Sequence, residues 1–283
     1  MAENILENIY YLGPDGSNAH NAMLQFLKTG TIKVKNHYPQ RSIRTALETA
    51  EKDCSSVCVL PIENSIEGIV RETIDNLVRL NSNHLRIQGE ITLPIKHLLL
   101  STGNDKSKIK KIISHPQALS QCSRFLHENF PHAEIKEVSS TSYAASKISS
   151  IHDDTVAALA NETCAKIFNL NILSDDINDE PDNKTRFYIL SGMELSKVRN
   201  GKTAIILSVK NVSGALCEVL KIFAKHNINL SYIDSRPSRR RLGEYLFFME
   251  MDGYETDSKI KIALDEIMTF VYFFRILGSF QVF

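Results

Sequence analysis

The sequence predicts an α/β protein in two parts, and three observations carry that expectation. The chain has 283 residues, more than one average domain. Over its first two-thirds, short apolar runs alternate with segments of helical period, which implies a sheet with helical crossovers. Beyond residue 201 the order is compact: strand, helix, strand, strand, helix, strand. Apolar residues at 43% and charged residues at 23% match an ordinary globular chain able to bury a core.

Residues 9–12 read as a strand stopped by Gly13-Pro14-Asp15-Gly16, a strong turn signal. Residues 19–27 read as a helix, with Ala19, Met23, Phe26 and Leu27 near helical spacing. Residues 57–62 (VCVLPI) form a buried strand. Glu63-Asn64-Ser65 follows it, then a helix with Val70, Ile74, Leu77 and Val78 on one apolar face. Residues 91–100 read as one strand with Pro94 at an edge or bulge. Residues 110–113 lead into Ser114-His115-Pro116-Gln117, where Ser114 and Gln117 fit a capping box and Pro116 suits the first turn. Strand 135–138, the Ser139-Ser140-Thr141 turn, helix 143–148, strand 156–159, a helix near 162–168 and strand 185–190 complete the first part.

The polar stretch 191–201 places a domain boundary between 8–192 and 201–283. After it come strand 203–209, a helix with Leu216, Val219, Leu220 and Phe223 on one face, strands 230–233 and 245–251, helix 260–270 and strand 272–277. That order is the ferredoxin-like βαββαβ arrangement. Arg239-Arg240-Arg241 falls between its middle strands and reads as a solvated hairpin tip.

Lys+Arg and Asp+Glu both number 33, so the formal charge cancels and no nucleic-acid surface or anionic-membrane partner is advertised. The N-terminus lacks the basic start and apolar core of a signal peptide, and no run is long enough to span a membrane. The five cysteines are scattered and read as reduced, mostly buried thiols of a cytoplasmic protein. Cys54 and Cys58 lack the second pair that a zinc site needs, so no metal is expected.

An anion must therefore be handled locally. Glu63-Asn64-Ser65, Ser114-His115-Pro116 and Ser139-Ser140-Thr141 each follow a strand and precede a helix. Ligands of open α/β sheets bind outside such strand ends, where helix N-termini offer free N–H groups. Each loop alone also reads as ordinary helix capping. Thr185 and Arg186 add a hydroxyl and a guanidinium at the mouth of a strand, and Arg186 suits a carboxylate.

Eight blocks in order now carry a resemblance. GPDG at 13–16, PIENSIEG at 61–68, HPQAL at 115–119, SST with AA at 139–145 and TRF at 185–187 resemble the motif set of the prephenate dehydratase family. GAL at 214–216, DSRP at 234–237 and EYLFF at 244–248 are similar to its C-terminal ACT regulatory domain. The N-terminal chorismate mutase of bifunctional relatives is not expected here.

The resemblance implies a cleft between two α/β lobes arranged like a periplasmic binding protein. It implies loss of carbon dioxide and water from prephenate, giving phenylpyruvate for phenylalanine synthesis, without a cofactor. Thr185 is then the donor to the leaving hydroxyl, and Arg186 anchors a carboxylate or orients Thr185. Asn64, Ser65, Ser114, Ser140 and Thr141 are expected substrate contacts, with Phe187 touching substrate or packing the loop. His115 reads as a base or, more simply, as a cap. L-Phenylalanine is the expected effector, bound where two ACT domains pair, by Gly214, Ala215, Leu216, Asp234, Ser235, Arg236 and Pro237. A homodimer or homotetramer follows.

The chain departs from the family in three places. The first loop lacks an aromatic and reads GPDGSNAH, Tyr143 replaces an acidic residue, and Asp234 replaces a glutamate. Arogenate dehydratase, a non-aromatising prephenate decarboxylase and a non-enzymatic ligand sensor remain alternatives. Retention of Thr-Arg-Phe argues against the decarboxylase.

Overall fold

A computed structural model describes residues 5–80, 84–195, 201–238 and 244–283. The chain runs β1 (Ile5–Leu12), α1 (Asn18–Lys28), β2 (Lys33–Gln40), α2 (Ile43–Lys52), β3 (Ser56–Asn64), β4 (Gly68–Ile69), α3 (Arg71–Arg79) and β5 (Arg86–Pro94). It continues through β6 (Leu98–Ser101), β7 (Lys111–Ser114), α4 (Pro116–Gln121), α5 (Ser123–Asn129), β8 (Glu134–Glu137), α6 (Thr141–Ile151), β9 (Val156–Ala160), α7 (Glu162–Ile167) and β10 (Asn171–Ser174). β11 (Lys184–Ser191) leads to β12 (Gly201–Ser208), α8 (Ala215–Lys225), β13 (Leu230–Pro237), β14 (Tyr245–Asp252), α9 (Ser258–Met268) and β15 (Phe273–Val282).

The strands form two sheets. One has the order β13-β14-β12-β15-β5-β11-β3-β1-β2, with β4 on β3; the other is β10-β6-β9-β7-β8. The chain leaves the first lobe after β5 and returns with β11, so two crossings join the lobes in the manner of a periplasmic binding protein. The single strand expected over 91–100 is thus two strands in different sheets. Pro94 ends the first because it has no N–H to continue the ladder.

The expected βαββαβ block is present with spatial order β13-β14-β12-β15. It does not hang free. β15 pairs in parallel with β5 through Gln281↔Gly89 and Val282↔Glu90. Gly278, at φ 158, lets the strands approach, since a Cβ there would stand 2.1 Å from the Ile87 carbonyl oxygen. Phe248 and Phe280 share one apolar cluster with Leu60, Ile62, Tyr188 and Leu190 of the first lobe. The Arg239-Arg240-Arg241 hairpin reading, and part of the 191–201 boundary, lie outside the described residues.

Candidate active site

The crevice between the lobes holds a cavity of about 340 Å³, lined by Ser17 and Asn18, Asn64, His97, His115, Gln121, 139–142, Thr185 and Phe187 among others. Three helices begin at its wall, each held by a side-chain cap. Ser17 accepts from His20 N at 3.2 Å, His115 from Gln117 N at 3.3 Å and Ser140 from Tyr143 N at 3.0 Å. Helix N-termini carry free N–H groups and partial positive charge, so this wall suits an anionic ligand. Here His115 acts as the cap.

Successive side chains of a strand face opposite sides. On β11, Thr185 and Phe187 face the cavity. Asn64 lies directly across from Thr185 in the β3 register, and a bulge sits beside it, between Arg186 and Phe187. Asn64 Oδ1 accepts from the backbone N–H groups of Ile66 and Glu67 at 3.0 and 3.1 Å. Its Nδ2 therefore points the other way and donates to Thr185 Oγ1 at 2.9 Å. That bond occupies an acceptor lone pair of Thr185 and leaves the hydroxyl proton free to donate. A buried hydroxyl preset as a donor is what a departing hydroxyl group needs.

Arg186 departs from the first of its two expected roles, the anchor of a ligand carboxylate. Its guanidinium lies on the other face of β11 and does not line the cavity. It pairs with Glu63 at 2.7 Å, Glu90 at 2.5 Å and Glu250 at 2.6 Å. Burial opposes its charge, yet Glu90 and Glu250 outweigh burial and hold its pKa above the ordinary value. Tyr188 donates to Glu250 as well, and Lys202 stands 3.5 Å from Glu90. With all three carboxylates on it, Arg186 ties β11 to β5 and to β14 of the C-terminal block.

Two serines are corrected too. Ser65 is exposed, and its Oγ accepts from Lys184 N at 2.9 Å, which ties two loops together. Ser114 is the buried last residue of β7 and donates to Leu159 O at 2.7 Å, so it caps no helix and reaches no cavity. The 63–65 segment does not open a helix either, because β4 intervenes before α3. Asn64, Ser140, Thr141 and Phe187 are brought together at the wall; Phe187 is also 1% exposed and packs into the core behind it.

The sequence reading missed residues that hold this site. Asn161 caps α7 and donates to Gly16 O at 2.7 Å, joining the second lobe to the first loop. Ser142 donates to Asp15 O, and Cys164 Sγ lies 3.3 Å from Gly16 O. An S-T-x-x-A-A run and an Asn before a helix were visible signals of caps, but not of contacts to a loop 127–148 residues away.

In the C-terminal block, Gly214 takes φ 83 at the start of α8, a conformation that suits glycine. Ala215 and Leu216 form the first turn of α8, and Asp234, Ser235 and Pro237 lie on edge strand β13. Arg236 is held within the chain. It is buried and pairs with Asp75 while donating to Arg71 O at 3.0 Å, so it fastens β13 to α3. Among the described residues, no hydrogen bond joins the Gly214 turn to 234–237 within the chain, and no group of His, Cys, Asp or Glu is placed to hold a metal.

Comparison with known proteins agrees with this geometry. Residues 9–194 match the family model of prephenate dehydratase, and 203–267 match that of the ACT domain. A prephenate dehydratase of Methanocaldococcus jannaschii is 36% identical over 278 residues, spanning 97% of this chain and 98% of its own. The structure of an Arthrobacter aurescens prephenate dehydratase in complex with L-Phe has a TM-score of 0.85 at 33% identity, covering 97% of this chain and 89% of that one. GqqA, described as a quorum quenching acylase, has the same TM-score at 23% identity, covering 98% of each chain, and shows the fold alone. By the match across both lobes and the ordered blocks on the cavity wall, this chain belongs to the prephenate dehydratase family, hydro-lyases that convert prephenate to phenylpyruvate, and carries an ACT domain.

Proposed function

We propose that the cavity binds the prephenate dianion with its ring hydroxyl toward Thr185 and its side-chain carboxylate toward the N-termini of α1 and α6. The observation that carries this reading is the Asn64–Thr185 bond of 2.9 Å, which fills one acceptor lone pair and leaves the buried hydroxyl proton free to donate into the cavity. In the reaction the bond from the ring to its carboxylate breaks and carbon dioxide leaves. That electron pair moves through the ring and expels the hydroxyl group, which takes up one proton and departs as water. The ring becomes aromatic, so the protein needs only to polarise the C–O bond and hold the substrate. Thr185 donates to the leaving oxygen as its charge develops, which favours the transition state over the ground state. Asn64 positions Thr185. Arg186 acts behind the strand as a positioning residue, and no cofactor takes part.

The limits 8–192 and 201–283 serve as the catalytic and regulatory parts. Phenylalanine binds at Gly214–Leu216 and 234–237 where two ACT domains meet, in a cytoplasmic homodimer or homotetramer. The exposed outer edge of β13 supports that pairing, as does the L-Phe complex of the Arthrobacter aurescens relative. Inhibition then requires phenylalanine to favour one of two states.

The test is phenylpyruvate formation from prephenate and from arogenate, with and without phenylalanine, by the native chain and by Thr185→Ala. Prephenate turnover suppressed by phenylalanine is expected. Thr185→Ala is expected to lower kcat by about 10²–10⁴ with little change in KM, the range of a positioned proton donor. Undiminished kcat in that variant would remove Thr185 from the chemistry. Ligand binding without any turnover would leave a sensor.

A further inference from the structure

The polarity set at Asn64 runs on through the wall of the cavity. Asn64 Nδ2 also donates to Asn183 Oδ1 at 2.8 Å, so Asn183 Nδ2 must be the donor to Gln121 Oε1, at 3.0 Å. His97 Nε2 lies 3.1 Å from the same oxygen. Burial lowers the His97 pKa more than its bond to Gln121 raises it, which favours the neutral imidazole; because the Gln121 atom it meets is the oxygen that accepts from Asn183, the proton on that ring sits on Nε2. Gln121 Oε1 therefore accepts two hydrogen bonds and its amide cannot be turned over. Its Nε2 is left as a donor with no protein acceptor. Gln121 is 9% exposed and lines the cavity; of the four such orphan atoms among the described residues, it alone belongs to that wall. A buried donor without an acceptor is costly, and a ligand oxygen is the natural partner.

We infer that Gln121 is a specificity-determining residue: its Nε2 donates to the keto oxygen of the substrate's side chain and selects an α-keto acid over the corresponding α-amino acid. This rests on the reading of the cavity as the prephenate site. Three arguments set the assignment. Thr185 takes the ring hydroxyl, and Gln121 stands two amides away from it along the hydrogen-bonded chain, so its donor is free for a different oxygen of the substrate. A donor on the departing ring carboxylate would stabilise the ground state and oppose its loss. Finally, with Oε1 saturated the amide can only donate, so an ammonium at that position would face N–H groups with no acceptor among them.

Gln121→Glu tests this, because it keeps an oxygen for Asn183 and His97 while replacing the donor by an acceptor. The ratio of kcat/KM for prephenate to that for arogenate is expected to fall by at least about tenfold, with the change for prephenate mainly in KM. A ratio unchanged in a folded variant overturns the inference, as does a native enzyme that prefers arogenate. A second measurement needs no variant. 3-Phenylpropionate, which lacks the keto oxygen, is expected to compete with prephenate on the native enzyme roughly tenfold more weakly than phenylpyruvate. Equal inhibition overturns the inference. If the native chain turns over neither substrate, the reading of the cavity fails instead, which is a distinct result.

Discussion

Arg186 gathers Glu63, Glu90 and Glu250 on the face of β11 opposite the cavity, and Tyr188 joins it at Glu250. The guanidinium is the central cation among these carboxylates, and among the described residues Lys202 stands near as a second, at 3.5 Å from Glu90 and 3.7 Å from Glu250. Removing one partner of a buried ion pair leaves the others desolvated and mutually repelling. Arg186→Ala is accordingly expected to lose about 3–5 kcal/mol of stability in denaturant unfolding. Arg186→Lys would retain part of that, since an ammonium cannot span three carboxylates with a planar fork. If unfolding of Arg186→Ala matches the native chain, the cluster is not holding the strand. An arginine beside a threonine invited the reading of a shared ligand; the two-residue period of a strand separates them instead.

At the scale of elements, the site depends on how α1, α6 and α7 meet over one loop. α6 and α7 belong to the second lobe, yet Ser142 and Asn161 bond to the carbonyls of Asp15 and Gly16 in the first. Asn161 has two separable roles, since its Oδ1 caps α7 by accepting from Cys164 N at 2.9 Å while its Nδ2 holds Gly16. Asn161→Asp keeps the cap and removes the donor. We expect it to raise the KM for prephenate several-fold and to lower the melting temperature, because a carboxylate oxygen then faces the Gly16 carbonyl in a buried contact and the cleft closes less well over its ligand. An unaltered KM would show that the cap is its only function. The strands were read less evenly than these helices. β2, an exposed and polar edge strand, and short β10 escaped the sequence reading because neither has an apolar face to reveal it. α2 also escaped, although Ile43, Ala46, Leu47 and Ala50 mark its buried face.

Across the whole molecule, the ACT domain is built into the catalytic lobe. β15 extends the large sheet through β5, Phe248 and Phe280 enter the first lobe's core, and Arg236 and Glu250 reach across as ions. Unfolding should therefore involve both together. Its pH dependence has a definite sign. Burial lowers the pKa of His97 and His20 in the fold, against Gln121 and Asp15, which raise them less. Below about 6.5 the unfolded chain binds protons at these sites that the folded chain does not. Stability is thus lost as pH falls through that value toward the lower folded pKa, at up to about 1.4 kcal/mol per pH unit for each histidine. Denaturant melts between pH 7.5 and 5 should show that slope, reduced in His97→Asn. A flat profile would contradict the buried neutral state.

The sequence by itself determined the α/β class, the βαββαβ block, the ordered family motifs, and Thr185 and Asn64 as parts of one site. Those follow from local signals: apolar period, turn residues and motif order are all written along the chain. Only the tertiary structure decided which side of β11 Arg186 faces, that Ser114 and Ser65 serve backbone groups, that Arg236 binds Asp75, and that Gln121 is left with a donor to offer. The physical reason is the same in each case. A polar side chain's role is set by which partner satisfies it, and those partners lie 45–161 residues away on elements that meet only when the lobes and the ACT domain pack.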